Sequence, residues 1–92
     1  MEFNLQTVHF NATEKLQEHI AKKVAKLEKN PDIQTVDAVL RVEKSESFNG
    51  KSASVRVKMP GQSIYVEKVA DTFEEAIDKC IDIVRRGLEK TK

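Results

Sequence analysis

Apolar residues recur along this chain with two periods, two and about 3.6, and the order in which those periods alternate lays out the elements. In residues 3–8 (FNLQTV), Phe3 and Leu5 fall on one side and Asn4 and Gln6 on the other, which predicts a strand. From Thr13 to Lys29 (TEKLQEHIAKKVAKLEK) the period lengthens, and Leu16, Ile20, Val24 and Leu27 make one stripe of a helix. Two starts fit this helix: Asn11 with Glu14 has capping-box spacing, and Thr13 beside Glu14 is also a good cap. Asn30-Pro31 stops it near Lys29.

Alternation then returns. Residues 35–44 (TVDAVLRVEK) set Val36, Ala38, Leu40 and Val42 against Asp37, Val39, Arg41 and Glu43. Residues 51–59 set Ala53, Val55, Val57 and Met59 inward and Ser52, Ser54, Arg56 and Lys58 outward. Asn49-Gly50 between the two runs is a hairpin signal, and Pro60-Gly61 marks the next turn. Residues 62–69 (QSIYVEKV) form the last strand. Asp71 with Glu74 reads as the capping box of a second helix over 72–90, whose apolar side carries Phe73, Ala76, Ile77, Cys80, Ile81, Val84 and Leu88.

The predicted order is β-α-β-β-β-α. Each hairpin strand has one apolar side, so the sheet is covered on one side only, by two amphipathic helices. The fold class is therefore α+β, a two-layer sandwich with one sheet face open to solvent. At 92 residues the chain is expected to be one domain, 1–92, without internal repeat or linker. One cysteine permits no internal disulfide, and MEFNLQTV begins no signal peptide or membrane span, so a cytoplasmic protein is expected.

Charge changes the picture more than composition does. Sixteen basic and fifteen acidic residues nearly cancel, so placement matters. Lys15, Lys22, Lys26 and Lys29 fall within roughly 60° of one another, centred roughly 150° from the apolar stripe of the first helix. Only Glu18 and Glu28 border this stripe, and Lys23 and His19 extend it toward the core. On the second helix, Lys79, Arg86 and Lys90 line up on one flank within roughly 40°, while Glu74, Asp78, Asp82 and Glu89 make the outward side acidic. Helices lying side by side could join that flank to the lysine stripe. A concentrated cationic patch suits a partner built of phosphates, read by shape more than by base sequence. The plainer alternative is a solvated helix side.

Enzyme chemistry finds little support. His9 and His19 have no metal-ligand spacing around them, and Cys80 reads as a buried inert thiol. No glycine-rich phosphate loop follows a strand. The acidic row of the second helix has no apolar pocket to separate two carboxyl pKa values. No metal, cofactor or small-molecule substrate is expected. Phe48 and Tyr65 read as local packing more readily than as base-stacking platforms, and the open sheet face, with Arg41, Arg56 and Lys58 beside Asp37 and Glu43, reads as mixed and solvated.

Four short stretches occur in order at matching spacing: Thr13-Glu14 with Leu16, Ala25-Lys26-Leu27-Glu28, Val42-Glu43-Lys44, and Ala76-Ile77-Asp78. With DTFEEAIDKCIDIVRRGLEKTK they resemble the ribosome hibernation-promoting factors, also called ribosome-associated inhibitor A or sigma-54 modulation proteins, over nearly the whole chain. The resemblance implies a β-α-β-β-β-α fold similar to the double-stranded RNA-binding domain. It implies a non-enzymatic partner of the small ribosomal subunit that sits in the mRNA and tRNA channel, blocks initiation and keeps idle ribosomes intact under stress or in stationary phase. It places rRNA phosphate contacts on Lys22, Lys23, Lys26 and Lys29 and on Arg86, Lys90 and Lys92. Ile83 stands where some members are basic, with Lys79 one turn earlier as a substitute. Without a linker and second domain the chain is expected to be a short form, monomeric off the ribosome, and without an acidic tail it sides slightly with forms that help ribosomes pair. The alternative is a protein-interaction module modulating transcription through the open sheet face.

Overall fold

The computed structural model describes residues 2–8, 10–45 and 48–90, with all their side chains except those of Glu28, residues 43–45, Phe48, Asn49, Glu89 and Lys90. In chain order the elements are β1 (Glu2–Val8), α1 (Glu14–Ala25), a 3₁₀ turn (Lys26–Lys29), β2 (Thr35–Ser45), β3 (Phe48–Met59), β4 (Gln62–Ala70) and α2 (Phe73–Lys90). The four strands form one sheet in the order β1-β2-β3-β4. β1 runs parallel to β2, with α1 as the crossover a parallel pair requires, and the other two pairs are antiparallel. The expected two-layer α+β sandwich is the fold observed, and the pairing makes its sheet a mixed one.

Alternation decides which side of the sheet is covered. Val36, Ala38, Leu40, Ala53, Val55 and Val57 are all nearly solvent-free and face the helices. They meet Leu16, Ile20, Val24 and Leu27 from the first helical segment and Phe73, Ala76, Ile77, Cys80, Ile81 and Val84 from α2. Ile83 is half-buried and packs on this core, so an apolar residue is what its position calls for. Ser52 departs from the outward reading: it lies on the open side but is only 5% exposed, enclosed at mid-sheet between its register partners Arg41 and Val69.

Local chemistry corrects several boundaries. Thr13 is the cap of α1, its Oγ1 accepting from the Leu16 amide at 3.1 Å. Thr72, not Asp71, caps α2: its Oγ1 accepts from the Glu75 amide at 3.1 Å and its carbonyl from the Ala76 amide. The Thr72–Glu75 spacing is itself that of a capping box, one residue later than the expected pair. The hairpin turn is not at Asn49-Gly50. The register pairs Ser45 with Phe48 and Glu43 with Gly50, which puts Asn49-Gly50 inside β3; the connection between the strands lies outside the described residues. Pro60-Gly61 is the β3–β4 turn, and Gly61 has φ +79°, the left-handed conformation a type II turn needs after proline.

Candidate nucleic-acid interface

The α-helical part of the first helix ends at Ala25, four residues before the expected stop. The amide of Lys26 is shared between the carbonyls of Lys23 and Val24, and the chain tightens into the 3₁₀ turn. At about three residues per turn, Lys26 and Lys29 are eclipsed on one side, while Leu27 remains buried. Asn30 then turns extended (φ −93°, ψ 110°), as a residue before proline prefers, and its Oδ1 accepts from the Asp32 amide at 2.9 Å.

The two helices lie side by side, and the partners of one carboxylate show how they are rotated against each other. Asp78 Oδ1 accepts from His19 Nε2 at 3.0 Å when that nitrogen carries its proton, and sits 3.4 Å from Lys23 Nζ. Thus Asp78 faces α1. Gly87, nine residues on and roughly 180° round the helix, faces the other way, because a Cβ there would lie 3.5 Å from Ile64 Cδ1 of β4. Between these sides lies the outward crest of α2.

This rotation sorts the candidate cations. Arg85 follows Asp78 by seven residues, so it shares the side facing α1 to within roughly 20°. With Lys26 and Lys29 it lines an open depression of about 880 Å³ where the C-terminal ends of both helices meet the β3–β4 turn. Leu27, Met59 and Leu88 contribute apolar surface to it, Asn30 and Gln62 contribute amides, and Asp32 contributes one carboxylate. Lys79 and Arg86 also share a side, but roughly 100° further round, on the crest. The flank read from sequence therefore does not meet the lysine stripe, and Asp78 lies between them. The residue that does meet it is Arg85, which the wheel reading left unassigned. Its signal was the Arg85-Arg86 pair, but choosing between the two required knowing which side of α2 faces α1.

Availability also differs among them. Lys22, Lys26, Lys29, Arg85 and Arg86 are exposed, and among the described residues none takes part in an ion pair. Lys23 is partly committed to Asp78, and Lys79 sits 3.6 Å from Glu75, its i−4 neighbour. Both pairs are solvent-accessible and worth a fraction of a kcal/mol to about 1 kcal/mol, so they tie these lysines down only lightly. Lys15 is exposed at the far end of the stripe. The side chain of Lys90 and the whole of Lys92 lie outside the described residues, as do His9 and the Phe48 side chain.

Elsewhere, Tyr65 is 55% exposed on the open sheet face, with the Arg56 guanidinium 5.2 Å from its ring centre. Asn4 Nδ2 donates to Asp37 Oδ1 at 2.9 Å on the same face. Among the described residues, no group of three or more His, Cys, Asp or Glu side chains is placed to hold a metal ion. No helix is long and apolar enough to cross a membrane.

A two-layer α+β domain with the exposed cations Lys26, Lys29 and Arg85 gathered at one end of its helical layer belongs to the class of proteins whose surface suits a polyanion. The profile of the family described as "Sigma 54 modulation protein / S30EA ribosomal protein" matches residues 3–92, and the chain belongs to that ribosome-associated, non-enzymatic family. Among the solved structures that share its fold are two of low sequence identity. One is a ribosomal subunit interface protein from Coxiella burnetii, 18% identical, with a TM-score of 0.87 over 99% of this chain and 97% of the other. The second is the N-terminal domain of Protein Y from Thermus thermophilus, 21% identical, with a TM-score of 0.85 over the full length of both chains. Among curated protein sequences no relative matches.

Proposed function

We propose that this chain binds the small ribosomal subunit in the cytoplasm, within the channel that carries mRNA and tRNA, and so inhibits translation and keeps idle ribosomes intact under stress or in stationary phase. The observation that carries the reading is the set of exposed cations on the helical side of a nearly neutral chain, Lys22, Lys26, Lys29, Arg85 and Arg86, none of them in an ion pair among the described residues. Membership of a ribosome-associated family supplies the polyanion. The short-range geometry suits rRNA phosphates converging from two walls: one meets the lysines, the other meets the arginines of α2. Lys23 and Lys79 contribute less, because each already has a carboxylate beside it, and Lys90 and Lys92 belong to the proposed contact set through the family resemblance. Off the ribosome the chain is a monomer in this reading.

Sucrose-gradient co-sedimentation with small subunits tests this. Five engaged phosphates give a salt slope of about −3.5 to −4.5, so affinity falls by roughly two to three decades between 50 and 200 mM salt. The protein is expected with the subunit at low salt and near the top at high salt. Replacing Lys22, Lys26 and Lys29 by Glu is expected to abolish co-sedimentation with the circular-dichroism spectrum unchanged, since all three are exposed. Retention of binding by that variant sinks the proposal.

The open sheet face supports a second reading, a protein-interaction surface, because Tyr65 and Val69 are the large hydrophobics left exposed there. A complex formed through that face survives RNase treatment and is lost on Tyr65→Ser, whereas the ribosomal complex behaves oppositely.

A further inference from the structure

The depression between the helix ends is built for more than a phosphate. Its rim carries Lys26, Lys29 and Arg85 against, among the described residues, one carboxylate, that of Asp32. Its wall is apolar: Met59 and Leu88 face the same space, beside the Gln62 amide at the β3–β4 turn. A surface that only tracks a phosphate backbone has no use for an apolar wall behind its cations. A ligand carrying one phosphate and one flat, largely apolar ring system uses both. The space, about 880 Å³, lies within the roughly 300–1,000 Å³ range of small-ligand sites. A base within a duplex is stacked and paired and cannot enter such a depression, whereas a base splayed from a loop or bulge can.

We infer that this depression takes one unpaired nucleotide of RNA, its phosphate against Lys26, Lys29 and Arg85 and its base against Met59 and Leu88, with Gln62 at the base edge. The inference rests on the RNA-binding reading above and deepens it, adding a base-holding element to a surface otherwise read as phosphate-only. Among the described residues no aromatic side chain lines the space, so the base is held by dispersion and exclusion of water more than by stacking. Preference among the four bases is accordingly weak.

The test is a two-dimensional NMR titration of the intact chain with adenosine 5′-monophosphate and, separately, with inorganic phosphate. The nucleotide is expected to shift the amides of Leu27–Asn30 and of Met59, Gly61 and Gln62 saturably, together with the Met59 methyl. The Phe3 and Gln17 amides, on the far side of α1, are expected to stay still. The nucleotide Kd is expected to lie at least about tenfold below that of phosphate, about 1.4 kcal/mol. In the Lys29→Gln, Arg85→Gln double variant, both of whose sites are exposed, nucleotide binding weakens by about tenfold or more. Equal Kd values for the two probes overturn the inference, as does the absence of shifts at the depression. The ribosome reading is judged separately by co-sedimentation. Nucleotide binding without co-sedimentation keeps the site and removes the ribosome, and co-sedimentation without nucleotide binding does the reverse.

Discussion

Cys80 shows how a residue's periodicity alone can state its chemistry. It falls between Ile77 and Ile81 on the apolar side of α2 and is fully buried, as its spacing requires. Its Sγ donates to the Ala53 carbonyl at 3.2 Å. Burial pushes the thiol from its ordinary 9.0 up to about 11, an effect that a backbone hydrogen bond and the positive charge at Lys68 only partly offset. The folded state therefore holds a proton that the unfolded chain has released above pH 9. The stability tied to that proton is fully present below pH 9 and is lost as pH rises toward 11, at about 1.4 kcal/mol per pH unit. Denaturant titrations at pH 8 and pH 10.5 should show a smaller loss in Cys80→Ala than in the native chain. An equal loss in both would assign the decline to other groups. Lys23 was equally legible: its place at the core edge of the stripe is where the structure finds it, half-buried beside Asp78. Arg85 was not, because a helical wheel gives angles between residues but no direction to a neighbouring helix.

Among the elements, errors gathered at the ends, where two neighbouring residues could serve equally. Asp71 and Thr72 each have a glutamate three residues on, and the choice fell to Thr72 because β4 continues through Ala70 and α2 begins at Phe73. Thr72→Ala should cost about 1 kcal/mol in denaturant unfolding, and Asp71→Ala distinctly less. The reverse order would mean that the hydroxyl bond to Glu75 contributes little. Asn49-Gly50 misled for a related reason. The dipeptide favours a tight turn locally, but β2 and β3 pair on to Ser45 and Phe48, so the sheet register overrides the local preference. The tightening to 3₁₀ at Lys26–Lys29 left the apolar stripe intact, since Leu27 is buried in either winding. That is why a pattern of burial could not reveal it.

For the molecule as a whole, the consequence of docking two helices is a division of the lysine stripe. Toward its N-terminal end, Asp78 of α2 meets His19 and Lys23 across the seam. At its C-terminal end, Arg85 meets Lys26 and Lys29, and positive charge accumulates. The binding energy for a polyanion should follow this division. Co-sedimentation at fixed low salt should be lost in the Lys29→Glu, Arg85→Glu double variant. Lys79→Glu should weaken it less, because Lys79 lies on the crest and already shares its charge with Glu75. A larger effect from Lys79→Glu would move the contact surface from the depression to the crest of α2.

The sequence by itself determined the order of elements, the side of the sheet that is covered, the apolar core positions of its helices and central strands, and the presence of a segregated lysine stripe. All of these follow from periodicity, which a linear chain carries in full. Only the tertiary structure decided which arginine joins the stripe and which cations carboxylates already hold. It also decided where the basic end acquires an apolar wall. Those outcomes depend on how α2 is rotated against α1 and β4, which is set by packing between residues as far apart in sequence as His19 and Asp78 or Ile64 and Gly87. No local period encodes such a rotation.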